Sequence, residues 1–248
     1  MTEPLLAVRG LRKAFGALIV TDKLDFDLAA GETLAIIGPN GAGKTTLIAQ
    51  LAGDVRPDAG TIALNGRPIV HEPADVRARL GIARSFQITT VVPTFSAEDN
   101  VALAVQSRTA MQMHFWQPAR ADERLREPAR AALERVGLSA RAGVRASDLS
   151  HGEARALEIA MALACRPMVM LLDEPMAGMG HDESRAMIDL LRTIKTETTM
   201  VLIEHDMDAV AQLADRVMVL VAGRAVASGA YDDVRRDPVV RDAYLGEN

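Results

Sequence analysis

A chain of 248 residues, 49% hydrophobic and 25% charged, carries enough apolar material to bury the core of one sizeable α/β domain and is too apolar for wholesale disorder. Its formal net charge of −5 supplies no concentrated basic surface, so no nucleic-acid partner is expected. Cys165 is the only cysteine, which excludes an internal disulfide and points to a reducing compartment.

The chain opens on Met1-Thr-Glu-Pro4 without the basic and apolar segments of a secretory signal, so none is expected. Leu5 to Val8, Leu24 to Leu28 and Thr61 to Leu64 lie near turn signals such as Asn65-Gly66 and predict a small antiparallel sheet. Thr33 to Ile37, Val169 to Leu172, Met200 to Ile203 and Val217 to Leu220 are continuous apolar runs, the pattern of parallel strands buried on both faces. Between Ala97 and Ala164 strand signals stop, and Ala, Leu, Glu and Arg recur at helical spacing, as in Ala129 to Val136. We read that stretch as a helical insertion. Within it, Met111-Gln-Met-His-Phe-Trp-Gln-Pro118 holds the only tryptophan, as contact surface or as the insertion's own core. The longest apolar runs, Met168 to Leu172 and Val217 to Ala222, fall far short of the roughly 20 residues that span a bilayer, so any membrane role is expected to be peripheral.

Gly38-Pro-Asn-Gly-Ala-Gly-Lys44-Thr45 matches G-x-x-x-x-G-K-[ST] between a predicted strand and a predicted helix running toward Ala52. Glycines let main-chain N–H groups approach phosphate oxygens, and the helix N-terminus adds a favourable dipole. Lys44 is then expected to neutralise terminal phosphate charge, and the Thr45 hydroxyl to ligate Mg²⁺. Met168 to Leu172 ends in Asp173-Glu174-Pro175. Alternation along a strand aims neighbouring side chains to opposite faces, so the two carboxylates can divide their tasks: Asp173 for the metal, Glu174 as general base toward a water.

With these motifs in this order, the chain resembles an ABC transporter ATP-binding subunit over nearly its whole length. The resemblance implies a P-loop NTPase (RecA-like) α/β core with an N-terminal antiparallel layer and a helical insertion. It implies one ABC ATPase domain over 1–248, with core and antiparallel layer in 1–95 and 165–248 and the helical subdomain in 96–164. ATP and Mg²⁺ are the implied ligands, with nucleotide contacts from Phe15, Gly38, Pro39, Asn40, Gly41, Ala42, Gly43, Lys44, Thr45 and Thr46. Phe15 falls where the family stacks an aromatic ring on adenine. Gln87, in Arg84-Ser-Phe-Gln87, matches the family's Q-loop, which senses the metal and joins the insertion to the core. His205, in Ile203-Glu-His-Asp206, matches the switch histidine that contacts the γ-phosphate. The metal set is thus Thr45, Gln87 and Asp173, and the catalytic set Lys44, Gln87, Glu174 and His205.

Leu149-Ser-His-Gly-Glu153 aligns with the family signature LSGGQ, with His151 in place of a glycine and Glu153 in place of the glutamine. Ser150-x-x-Glu153 ahead of an apolar run is also a capping box, and the two readings are compatible because a capped helix N-terminus still presents N–H donors. In the family this segment meets the γ-phosphate held by the opposite subunit, so Ser150, His151, Gly152 and Glu153 are implied to act in trans, within a homodimer or related heterodimer. Ser-His-Gly-Glu, Gly81-Ile-Ala-Arg-Ser-Phe-Gln87 and Tyr244-Leu-Gly-Glu247 resemble the subfamily serving branched-chain and other hydrophobic amino-acid importers. Met176-Ala-Gly-Met-Gly180 stands where many members carry Ser-Ala-Leu-Asp, and the subfamily shows similar Ala-Gly-Leu forms. The expected setting is the cytoplasmic face of the cell membrane, with permease subunits as partners and a substrate-binding protein as an indirect one. The rivals are a lipid or lipopolysaccharide exporter ATPase and a non-transport module driven by ATP-dependent dimerisation.

Overall fold

The computed structural model describes residues 3–85, 91–108 and 122–245. Two sheets organise them. The first is antiparallel, built from β1 (Leu6–Phe15), β2 (Leu18–Leu28), β4 (Ala59–Leu64) and β5 (Arg67–Pro68) in the order β2-β1-β4-β5. Leu6 faces Leu28 and Val8 faces Phe26, and after an irregularity Leu11 faces Leu24. Those six side chains are buried, so the strand alternation gives one apolar face despite the shift in register. Asn65 and Gly66 both take positive φ and close the hairpin between β4 and β5, the turn chemistry read from the sequence. Strands β1 and β2 run well beyond the predicted segments, out to a hairpin tip at Phe15 and Leu18 whose side chains are exposed.

The second sheet has six strands in the order β10-β9-β3-β8-β7-β6, where β3 is Thr33–Ile37, β6 Ile82–Ser85, β7 Val169–Asp173, β8 Thr199–Ile203, β9 Arg216–Val221 and β10 Arg224–Gly229. All neighbours are parallel except the β9–β10 hairpin at one edge. The four predicted core strands are its centre. Alternation now sends residues to two separate cores. Leu34, Ile36, Val169, Leu171, Val201 and Ile203 pack with α1 (Lys44–Ala52) against the antiparallel sheet. Met170, Leu172, Met200 and Leu202 face the other way, onto a second apolar cluster formed with helices.

Those helices are α3 (Ala97–Arg108), α4 (Glu123–Arg135), α5 (His151–Ala164) and α6 (His181–Ile194). The first three carry the predicted helical insertion, and Leu125, Leu133, Leu157 and Ile159 are its buried anchors. Each such fully buried aliphatic side chain stabilises the fold by about 1.5–3 kcal/mol over its exposed state. Helix α7 (Met207–Leu213) and the terminal α8 (Tyr231–Arg236) and α9 (Pro238–Leu245) cover Ala35, Ile37, Val217 and Val219 from the same side of the sheet as a smaller cluster.

A charged side chain locks α1 in place. Arg77 of α2 (Ala74–Leu80) is 1% exposed and donates to the carbonyls of Gln50, Leu51, Val70 and Glu72 at 2.6–3.0 Å. Two of those carbonyls close the last turn of α1, where helical partners run out. Met111–Pro118 and Gln87 lie outside the described residues.

Candidate functional site

The loop between β3 and α1 is shaped by contacts that leave no room for side chains at two places. A Cβ on Gly38 would stand 2.0 Å from the Leu220 carbonyl oxygen, and one on Gly43 would stand 2.1 Å from that of Val20. The loop is thus pressed between β9 and the β1–β2 hairpin. Gly223 donates to the Ala42 carbonyl at 3.0 Å and Asp22 donates to the Gly223 carbonyl at 2.8 Å, which ties both neighbours together. Pro39 is half-buried, Asn40 and Gly41 are exposed, and in the first turn of α1 Thr45 is exposed and Thr46 half-buried. No side chain caps α1, so the N-terminal end of the helix dipole is left for an anion to occupy.

Lys44 is buried, and its Nζ arches back to the Gly38 and Pro39 carbonyls at 2.7 and 3.0 Å. Burial pulls its ammonium below the ordinary lysine range, and the carboxylates of Glu174 and Asp173 oppose that shift. The loop lysine and the two acids therefore share one electrostatic site.

Asp173 is the last residue of β7, with its side chain 8% exposed. Glu174 lies just outside the strand at φ 52°, in the left-handed region. The two carboxylates diverge through that backbone turn rather than through the strand alternation expected from the sequence. A non-glycine residue held there stores strain of about 1–3 kcal/mol, of a kind that clusters at functional sites. Glu174 Oε1 lies 2.7 Å from His205 Nε2, so the structure joins the two residues that the sequence placed on separate strands.

Two charged residues without an assigned part in the sequence reading also converge here. Arg84 of β6, its side chain 4% exposed, donates to Asp54 at 2.7 Å and to Asp173 at 3.3 Å. Burial still pushes the Asp173 carboxyl above the ordinary aspartate range, opposed by Arg84 and then Lys44, with Glu174 adding to the rise. A cation beside Asp173 would offset that burial. Among the described residues no cluster of three His, Cys, Asp or Glu side chains is placed to hold a metal. Magnesium does not need one, because it binds through one or two protein oxygens together with substrate phosphates and water. Thr45 and Asp173 fit that pattern. The second residue is Glu204, buried between Ile203 and His205. Adjacency to the histidine was its only signal in the sequence.

Phe15 ends β1 with its ring 52% exposed and the Lys13 ammonium 5.3 Å from the ring centroid. The same hairpin contributes the Val20 carbonyl against Gly43, so Phe15 projects from the strand pair that braces the phosphate loop. Ser150 caps α5: its hydroxyl accepts from the Glu153 amide at 3.2 Å, and Glu153 accepts from the Ser150 amide at 2.9 Å. The predicted capping box is present. The other Glu153 oxygen accepts from Arg141 at 2.7 Å, so that carboxylate is committed within its own chain. His151 Nε2 lies 3.3 Å from the Ala177 carbonyl, linking the signature segment to the loop after the carboxylate pair. Among the described residues no hydrogen bond or ion pair joins residues 149–153 to the phosphate loop.

Comparison with known proteins places the chain in a family. The family model for the ABC transporter matches residues 21–177, and that for the branched-chain amino acid ATP-binding cassette transporter matches 226–248. The chain is 37% identical over 254 aligned positions to the high-affinity branched-chain amino acid transport ATP-binding protein LivG of Salmonella typhimurium, covering 100% of both chains. It is 35% identical to the corresponding protein BraF of Pseudomonas aeruginosa, again over 100% of both. Among solved structures, the ADP conformation of MJ1267, an ATP-binding cassette of an ABC transporter, superposes with a TM-score of 0.87 at 27% identity, covering 99% of this chain and 100% of that one. No helix among the described residues is long and apolar enough to cross a membrane. The chain belongs to the ABC transporter family as an ATP-binding subunit, and within it is similar to the branched-chain amino acid transport ATP-binding proteins.

Proposed function

We propose that the chain hydrolyses ATP to ADP and phosphate and so drives a permease that imports branched-chain or related hydrophobic amino acids. The observation that carries the chemistry is the convergence of Lys44, Asp173, Glu174 and His205 at one end of the parallel sheet. Full-length similarity to LivG and BraF supports the cargo class.

In this reading the glycine-rich loop and Lys44 hold the β- and γ-phosphates, with Phe15 against the adenine. Thr45 and Asp173, with Gln87, would hold magnesium, which would supply charge compensation for the phosphates. Glu174 accepts a proton from a water whose oxygen attacks the γ-phosphorus, the bond from that phosphorus to the β,γ-bridging oxygen breaks, and ADP departs with the bridging oxygen. His205 holds the Glu174 carboxylate in place at 2.7 Å and reaches the γ-phosphate. Ser150, His151 and Gly152 at the N-terminus of α5 serve the nucleotide of a second ATPase subunit, identical or related, so that two subunits enclose two nucleotides. Residues 96–164 act as the unit that carries this segment.

A groove of about 600 Å³ between α2, β6, α3 and α5, lined by Ala78, Ile82, Leu103, Met161 and Pro167, gives a membrane subunit an apolar surface to engage. The subunit works at the cytoplasmic face of the membrane, where a substrate-binding protein reaches it only through the permease. Vesicles holding the membrane subunits and this chain test the reading: leucine uptake must require ATP and must fall to background with Lys44→Ala. Uptake that persists in the variant contradicts it.

A further inference from the structure

We propose that Glu204 is a positioning residue for hydrolysis: its carboxylate ties the loop carrying the base Glu174 to the loop carrying His205. The inference rests on the role given to Glu174 above.

Glu204 follows β8 directly and is 4% exposed. Its Oε1 accepts from the Met176 amide at 3.1 Å, and its Oε2 accepts from the His205 amide at 3.1 Å. The Asp206 amide adds a further interaction. Among the described residues its partners are main-chain amides from two separate loops, with no basic side chain. An acid is costly to bury, and one held only by backbone donors makes those donors rigid in return.

The two loops are the ones whose spacing the chemistry needs. Met176 is two residues beyond Glu174, which sits at φ 52° and has no glycine's freedom to relax there. The Glu174 amide donates to the Ile203 carbonyl at 3.0 Å, one residue before Glu204. Glu204 thus closes a ring: main chain joins Glu174 to Ile203, the Glu204 carboxylate joins Met176 to His205, and the His205 ring meets Glu174 at 2.7 Å. Holding Met176 keeps Glu174 turned out of the strand, and holding the His205 amide aims the imidazole at it. A carboxylate accepts at both oxygens at once. A glutamine in its place offers one acceptor and sets an NH₂ against one of the two amides, so one tie must break.

The test uses the full chain with Mg·ATP, comparing Glu204→Gln, His205→Ala, their double variant and Glu174→Gln. Glu204→Gln is expected to lower kcat by about 10- to 100-fold, the scale of a roughly 1 Å misplacement of a reacting group. ATP affinity should stay within about twofold, because the phosphate loop is untouched. The double variant should lose less than the product of the two single losses, since both substitutions disturb the Glu174–His205 contact. The proposal is overturned by a kcat within about twofold of the unsubstituted chain, by a loss confined to KM, or by losses that multiply in the double variant. If Glu204→Gln does not fold, Glu204→Asp, whose carboxylate is one methylene too short to reach both amides, is read by the same criteria. Failure of both to fold makes Glu204 a stability residue and also overturns it. Undiminished turnover in Glu174→Gln would sink the role of the base, whereas an inactive Glu174→Gln beside a fully active Glu204→Gln sinks the tie alone.

Discussion

A single methyl group at Gly43 tests how tightly the phosphate loop is fixed. Gly43 holds φ 101°, and a Cβ there would stand 2.1 Å from the Val20 carbonyl oxygen. Ordinary contact begins at 3.4 Å, so strand β2 or the loop must move by about 1.3 Å to accept alanine. Gly41 is the control, because it also has positive φ, 78°, yet a Cβ there meets nothing within 4 Å. Both substitutions carry backbone strain of about 1–3 kcal/mol, and only Gly43→Ala adds the steric displacement, a further 1–3 kcal/mol or so. Urea unfolding monitored by circular dichroism should place Gly43→Ala below Gly41→Ala by about 2 kcal/mol. Its ATP affinity should fall by about 100-fold, since the displaced loop carries Lys44. Equal stabilities in the two variants, within about 0.5 kcal/mol, would refute the claim that the hairpin braces the loop.

Arg77→Ala should destabilise the chain by about 3–5 kcal/mol in the same assay, because four carbonyls lose a buried cationic donor. Arg77→Lys should recover only part of this, since an ammonium lacks the planar fork that reaches all four. Ser150→Ala should cost about 1 kcal/mol through loss of the α5 cap. Glu153→Gln adds a pH signature. The Ser150 amide, and then Arg141, holds the Glu153 carboxyl below the ordinary glutamate range. An acid with a depressed folded-state pKa contributes its stability above the unfolded value and loses it as pH falls through the folded one. The stability gap between Glu153→Gln and the unsubstituted chain should thus be full at neutral pH and close under acid. A gap that widens on acidification would contradict the assignment.

What the sequence revealed followed the range of the forces involved. Thr33–Ile37 and the three other core strands were legible because a strand buried on both faces must be apolar throughout, and the structure places their alternate residues in two cores. The phosphate loop and the α5 capping box were legible because both are local contacts at fixed spacing. Ile82–Ser85 was not read as a strand, since it is four residues long with an arginine inside. Arg84 is buried there in ion pairs with Asp54 and Asp173, both far away in sequence. The left-handed turn at Glu174 carried no glycine to announce it. Glu204 stood beside a recognised histidine, but its partner Met176 lies 28 residues upstream and no spacing rule links them.

The most direct test of the account is Glu174→Gln in the full-length chain, followed by phosphate release and by light scattering with and without Mg·ATP. Phosphate release is expected to fall by at least about 100-fold while ATP still binds, and the particle mass is expected to double on ATP addition and stay doubled. A mass that stays single with ATP bound would leave pairing with a related subunit, and release at the unsubstituted rate would contradict the account.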